Sequence, residues 1–164
     1  EFRRVLFRSD GREATEATRL SDLAGELVEQ YARLGHPLRA QIGPTPALAL
    51  GRQAMRRVLA NLIDNALRHA GPDIELETFT EDGFAVTQVL DRGPGIPADQ
   101  AERMKQPFTQ LENARTGTIG SGLGLAIVDR VARSHGGHFD LLARPGGGLI
   151  ARIRLPAEGN LATG

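Results

Sequence analysis

No cysteine and no tryptophan occur in the 164 residues, and a single lysine, Lys105, stands among 20 basic residues. Without thiols there is no disulfide scaffold, no zinc knuckle and no sulfur nucleophile, which fits a reducing compartment. No stretch approaches the roughly 20 apolar residues of a membrane span. Val5-Leu6-Phe7 is too short an apolar run for a secretory signal. Neither sign of charge is in excess, with 20 acidic residues against 20 basic ones. That balance argues against a nucleic-acid binder, which needs a basic surface to displace counterions, and against a polybasic membrane-surface domain. The near-exclusive use of arginine, with abundant Ala and Gly, reads as genomic composition.

The rest of the composition is that of one globular domain: 40% hydrophobic and 24% charged residues leave enough apolar side chain for a core. Residues 1–9 (EFRRVLFRS) are basic and aromatic, unlike the polar run from Asp10 to Arg19, and read as a non-native leader. Residues 10–19 read as a polar linker, 20–156 as the domain and 157–164 as a disordered tail.

Leu20, Leu23, Leu27 and Tyr31 recur at helical spacing, predicting a helix over 22–34 with Ser21 as its N-cap and His36-Pro37 at its end. Residues 38–42 alternate as a strand, and 47–50 form a short edge strand. The clearest helix spans 52–70. Its Met55, Val58, Leu59, Leu62, Ile63, Ala66 and Leu67 hold one face over several turns. Strands come next at 74–78 and 84–90 across a Glu81-Asp82-Gly83 turn. After a glycine-rich loop, Pro97 stands at the first position of a short helix to Met104. Residues 106–120 lack periodicity, and a loop of that length is functional or disordered. Gly122 opens a helix to Ser134, closed by Gly136-Gly137, and strands at 138–143 and 149–155 end the domain. The expected fold is α+β, a two-layer sandwich with one mixed sheet covered on one face by about three helices.

Three stretches carry candidate chemistry. Asn61, Asp64, Asn65, Arg68 and His69 form one stripe of the long helix. Solvated faces use better helix formers than Asn, so the stripe reads either as plain surface or as a ligand face. Its amide and carboxylate oxygens suit a hard cation, and Arg68 and His69 suit phosphate. Asp91-Arg92-Gly93-Pro94-Gly95-Ile96-Pro97 stands after a strand. It is either a turn or a ligand loop in which a carboxylate accepts from an exocyclic amine such as adenine N6 and glycines let backbone approach a flat ring. Gly120-Ser121-Gly122-Leu123-Gly124-Leu125 opens a helix, where backbone N–H groups and the dipole suit phosphate. It matches neither a Walker A loop nor a Rossmann fingerprint.

In this order the stretches resemble the ATP-binding domain of sensor histidine kinases, of the superfamily that includes gyrase, the heat-shock ATPases and MutL. NLIDNALRHA (61–70) is similar to its N box, DRGPGIP (91–97) to G1, QPF (106–108) to the F box and GSGLGLAIV (120–128) to G2. The nearest likeness is to osmosensing kinases that partner OmpR-type response regulators. The resemblance implies a Bergerat ATP-binding fold with ATP and Mg²⁺ as cofactors. Asn65 would be the metal ligand, and Asn61, Arg68 and His69 would lie along the phosphates. Asp91 would read adenine, with Gly93, Gly95 and Ile96 shaping its pocket. Gly120, Ser121, Gly122, Leu123, Gly124 and Leu125 would line the phosphates. Phe108 would anchor a lid over 105–121, and Arg115 in it would reach the γ-phosphate.

This sequence departs from the pattern at Lys105, where an aromatic is usual, at Arg92, and at Leu149-Ile150, where Thr or Ser is usual. None of its four histidines is followed by the acidic residue typical of a phosphoacceptor. The implied activity is therefore transfer of the γ-phosphoryl group to a histidine on a separate dimerisation domain, expected N-terminal to residue 10. The implied setting is the cytoplasmic part of an inner-membrane sensor kinase. The alternatives are an ATP-hydrolysing clamp, an anti-sigma-type serine kinase, and a degenerate nucleotide module that serves for docking.

Overall fold

A computed structural model describes residues 13–106 and 124–157. Its elements run β1 (Glu16–Thr18), α1 (Leu20–Arg33), β2 (Arg39–Ile42), β3 (Leu48–Leu50), α2 (Arg52–Ala70), β4 (Glu75–Glu81) and β5 (Phe84–Leu90). A short 3-10 turn (Ala98–Gln100), α3 (Ala101–Met104), α4 (Gly124–Ser134), β6 (His138–Ala143) and β7 (Leu149–Pro156) complete the order. The main sheet has the order β2-β4-β5-β7-β6, and β1 pairs with β3 in a separate ribbon. Only β2–β4 is parallel; the other pairs in the main sheet are antiparallel.

Alternation along the strands decides which face is covered. Leu76, Ala85, Val89, Phe139, Ala151 and Ile153 join Leu27 of α1, Leu59 and Leu62 of α2, and Val128 of α4 in one core. The opposite face carries a polar row set by register: Gln41, Glu77, Gln88, Arg152 and Asp140. Gln88 donates to the Glu77 carboxylate (2.8 Å), and the Arg152 Nε–H donates to Gln88 Oε1 (2.8 Å). The expected mixed sheet with helices on one side is therefore the fold.

The long helix α2 has the predicted bounds, and its capping comes from elsewhere in the chain. Gly51, its N-cap, has no side chain to offer. Glu13 supplies the acceptor instead, taking the N–H groups of Gln53 (2.8 Å) and Ala54 (2.9 Å). A Cβ on Gly51 would sit 2.8 Å from that carboxylate. His135, beyond the end of α4, accepts the Gly51 N–H at Nε2 (3.2 Å), and its Nδ1 lies 2.8 Å from the Val131 carbonyl. The network thus assigns the Nδ1–H tautomer, and the neutral ring joins α4 to the start of α2.

Three expectations are corrected. α1 begins at Leu20, so Ser21 lies inside it; the Ser21 N–H donates to Thr45 Oγ1 (3.0 Å), which takes the capping role. The end of α1 at Arg33, capped by Leu34, is within one residue of the expected one and is closed by Gly35 N–H to the Ala32 carbonyl (3.1 Å) and His36 N–H to the Tyr31 carbonyl (2.8 Å). Part of the expected linker is ordered structure, because Glu16–Thr18 pairs with Leu48–Leu50. Pro97 precedes the 3-10 turn as its N-cap instead of opening an α-helix. The leader 1–9 and the expected helix start at Gly122 lie outside the described residues, as does all of the tail except Ala157.

Candidate functional site

The stripe on α2 divides in two. Asn61 and Asn65 are half-buried, and Arg68 and His69 are exposed. None of these four side chains makes a hydrogen bond to another described residue. Asp64 leaves the stripe: the phenol of Tyr31 on α1 donates to its Oδ1 at 2.5 Å. Burial first, then this hydrogen bond and the Asp64 charge, push the Tyr31 phenol well above its ordinary range, so it stays a neutral donor. The carboxylate expected to join the amides in a cation site therefore ties α1 to α2.

At the end of β5, Asp91 is 6% exposed. Its backbone extends the β5–β7 ladder, with its N–H on the Leu149 carbonyl (3.0 Å). Its Oδ1 accepts the N–H of Gly93 (2.9 Å) and of Leu149 (3.2 Å). Among the described residues no donor reaches Oδ2. A buried carboxylate with one oxygen saturated and one open is a preorganised acceptor for an N–H of a ligand. Gly93 has no Cβ because one would lie 2.6 Å from the Ala70 Cβ, so the 91–97 loop rests on the last turn of α2. Ile96 packs against the core from that loop, and Gly95 lies close beneath the carbonyl of Gly148. The stripe and the loop thus meet. Their proximity is also electrostatic: burial and the Arg68 charge lower the His69 pKa, and the Asp91 charge opposes them.

α4 packs on α2, and His135 just beyond its end meets Gly51 at the start of α2. Gly124 has open space around it, and the Leu125 side chain is core. Any ligand contact of Leu125 is therefore through its backbone. Phe108, Arg115, Gly120, Ser121, Gly122 and Leu123 lie outside the described residues. Lys105, found where an aromatic is expected, is only 8% exposed in its side chain and pairs with Glu102 (2.9 Å). Its ammonium sits 5.6 Å from the Phe139 ring centroid. The aliphatic stem covers apolar surface while the charge meets the ring face, and so takes over part of an aromatic's packing.

Among the described residues no group of three or more His, Asp or Glu side chains is arranged to hold a metal ion. Asn65, half-buried and without a hydrogen bond to another described residue, has the hard amide oxygen that Mg²⁺ would take in a phosphate-transfer site, where the ion would keep several waters. Sequence reasoning missed the Leu149 N–H, Arg144 and Gly148. Their roles come from strand register, which no local motif signals.

The profile of one family, described as "Histidine kinase-, DNA gyrase B-, and HSP90-like ATPase", matches residues 51–159. The chain belongs to this ATPase family. The domain is 36% identical over 144 residues to the sensor protein CutS of Streptomyces coelicolor, covering 84% of this chain and 35% of CutS. It is 34% identical over 137 residues to the sensor histidine kinase component HK1 of Mycobacterium tuberculosis, covering 84% of this chain and 81% of HK1. The histidine kinase domain of the E. coli osmosensor EnvZ superposes with a TM-score of 0.67 at 32% identity, covering 92% of this chain and 94% of that structure. The chain is thus an ATPase domain of the sensor histidine kinase type. Its profile begins at Gly51, yet β3 and α1, which precede it, contribute to the same core.

Proposed function

We propose that this domain binds Mg-ATP with adenine at Asp91 and the phosphates along α2 towards the start of α4. It then presents the γ-phosphoryl group to a histidine on a separate dimerisation domain. The Asp91 Oδ2, which no described donor reaches, beside the side chains of Asn61, Asn65, Arg68 and His69, which make no hydrogen bond to another described residue, is the observation that carries this reading. Adenine's N6 amine donates to Oδ2. Asn65 would hold Mg²⁺, which when bound neutralises phosphate charge, and Arg68 and His69 orient the chain of phosphates. The protein contributes position and charge, which is most of what phosphoryl transfer needs.

Transfer is favoured over hydrolysis by the acid content of α2. Its one carboxylate, Asp64, is engaged by Tyr31, which leaves no carboxylate on this face to activate water. A response regulator, of the OmpR type by resemblance to osmosensors, is the downstream partner. The parent protein is a sensor kinase whose cytoplasmic part contains this domain.

Calorimetric titration of ATP with and without Mg²⁺ tests the site. One site per chain is expected, weakened about tenfold or more by Asp91→Ala, where a buried polar partner is lost. Asn65→Ala is expected to remove the Mg²⁺ dependence. Equal Mg-ATP affinity in wild type and Asn65→Ala would sink the metal assignment, and no binding by folded protein would sink the whole reading.

A further inference from the structure

Two loops exchange hydrogen bonds around the backbone of Asp91. Arg144 directly follows β6 and is 8% exposed. Its Nη1 donates to the Asp91 carbonyl at 3.1 Å, and its Nη2 to the Glu75 carboxylate. Glu75 is also 3.2 Å from Arg39, which reaches Asp73, so the guanidinium is held at its far side by a chain of charges. In return Arg92, the residue after Asp91, donates from Nη1 to the carbonyls of Pro145 and Gly147, both at 3.0 Å. The turn between β6 and β7 is closed on itself by Arg144 N–H to the Gly148 carbonyl (3.0 Å) and Gly147 N–H to the Arg144 carbonyl (2.9 Å). Gly148 has φ +115°, and a Cβ there would lie 2.0 Å from the Asp91 carbonyl oxygen. Only glycine lets the two backbones come this close.

The geometry points to Arg144 as a positioning residue for base recognition, with Arg92 locking the turn that carries it; this rests on the nucleotide reading above. The Asp91–Arg92 peptide plane is fixed by a buried, charge-assisted bond. Oδ1 is fixed by two backbone N–H groups. Among the described residues no donor reaches the other oxygen, which stands at one place as an acceptor. Such an acceptor favours a base with an amine at position 6 and repels one with a carbonyl there. If the Asp91 carbonyl is released, the carboxylate can turn, and that contrast fades before binding does. Arginine is required because its planar fork serves Asp91 and Glu75 at once, which a single ammonium does not reproduce.

The test compares ATP with inosine triphosphate, which has a carbonyl in place of the N6 amine, on the full chain by calorimetry. Arg144→Lys keeps a positive charge beside Glu75. It is expected to narrow the ATP-to-inosine-triphosphate affinity ratio by about fivefold or more, the worth of one misplaced hydrogen bond. Affinity for inosine triphosphate should change by less than about twofold, as it does not use that bond. Arg92→Ala, an exposed site, should narrow the ratio in the same direction and serves if Arg144→Lys lowers the melting temperature too far. Equal weakening of both nucleotides, or an unchanged ratio in folded variants, overturns the inference alone. A wild-type protein that binds neither nucleotide removes the nucleotide reading and this inference with it.

Discussion

His69 reaches solvent on one side, and it is pressed towards its neutral form by partial desolvation on the other first and by the Arg68 charge second. In the free domain the unfolded chain binds that proton more readily than the folded one. The contribution of His69 to stability therefore falls as pH drops below its ordinary value of about 6.5. A bound triphosphate acts with the opposite sign, raising the imidazole pKa, so binding takes up a proton and strengthens as pH falls. Titrations of Mg-ATP near pH 6.5 in buffers of different ionisation enthalpy should show more proton uptake for wild type than for His69→Phe. Identical uptake would place the phosphates away from His69. Residues differ in how legible they are. Asp91 stands out because glycines come directly after a strand end. Asp64 misleads because its partner Tyr31 lies 33 residues away. Arg144 and the Leu149 N–H give no signal, since their roles depend on which strand lies beside β5.

The helix α2 is legible to its ends because 19 residues repeat the hydrophobic period with Gly on either side. The starts of the other elements are less legible wherever a distant group sets them: Thr45 for α1, and the pairing with β3 for the three residues of β1. The same holds for the α2 cap, Glu13, 40 residues before its partner Gln53. Glu13→Ala should cost about 0.5–2 kcal/mol, the range for loss of an N-terminal acceptor. Denaturant unfolding measures this, and hydrogen exchange should show the amides of Gln53 and Ala54 losing protection first. No change in either would mean that the Glu13 contacts add nothing to the helix. Such a loss would loosen the end of α2 opposite to Arg68 and His69, leaving the site itself in place.

At the scale of the molecule, a single core joins the ribbon, the main sheet and three helices, so unfolding should be one cooperative event. The chain has an internal reporter for it. Tyr31, its one tyrosine, is 5% exposed between α1 and α2. Tyrosine fluorescence and far-ultraviolet circular dichroism should give coincident denaturation curves, and separate midpoints would show that α1 detaches independently. The fold class is legible at this scale because strand alternation and helix period agree throughout. The covered face of the sheet is legible too, whereas the exchange between the 91–97 loop and the β6–β7 turn is not. One further property belongs to the whole chain. All basic side chains but one are guanidinium groups, which amine-directed reagents leave alone. Acylation or reductive alkylation therefore has one side-chain target, the ammonium lying over Phe139, at the edge of the segment that resembles a lid. In the folded domain that ammonium is 8% exposed and paired with Glu102, so once the terminal amine is blocked, the rate of its modification reports how often this contact opens.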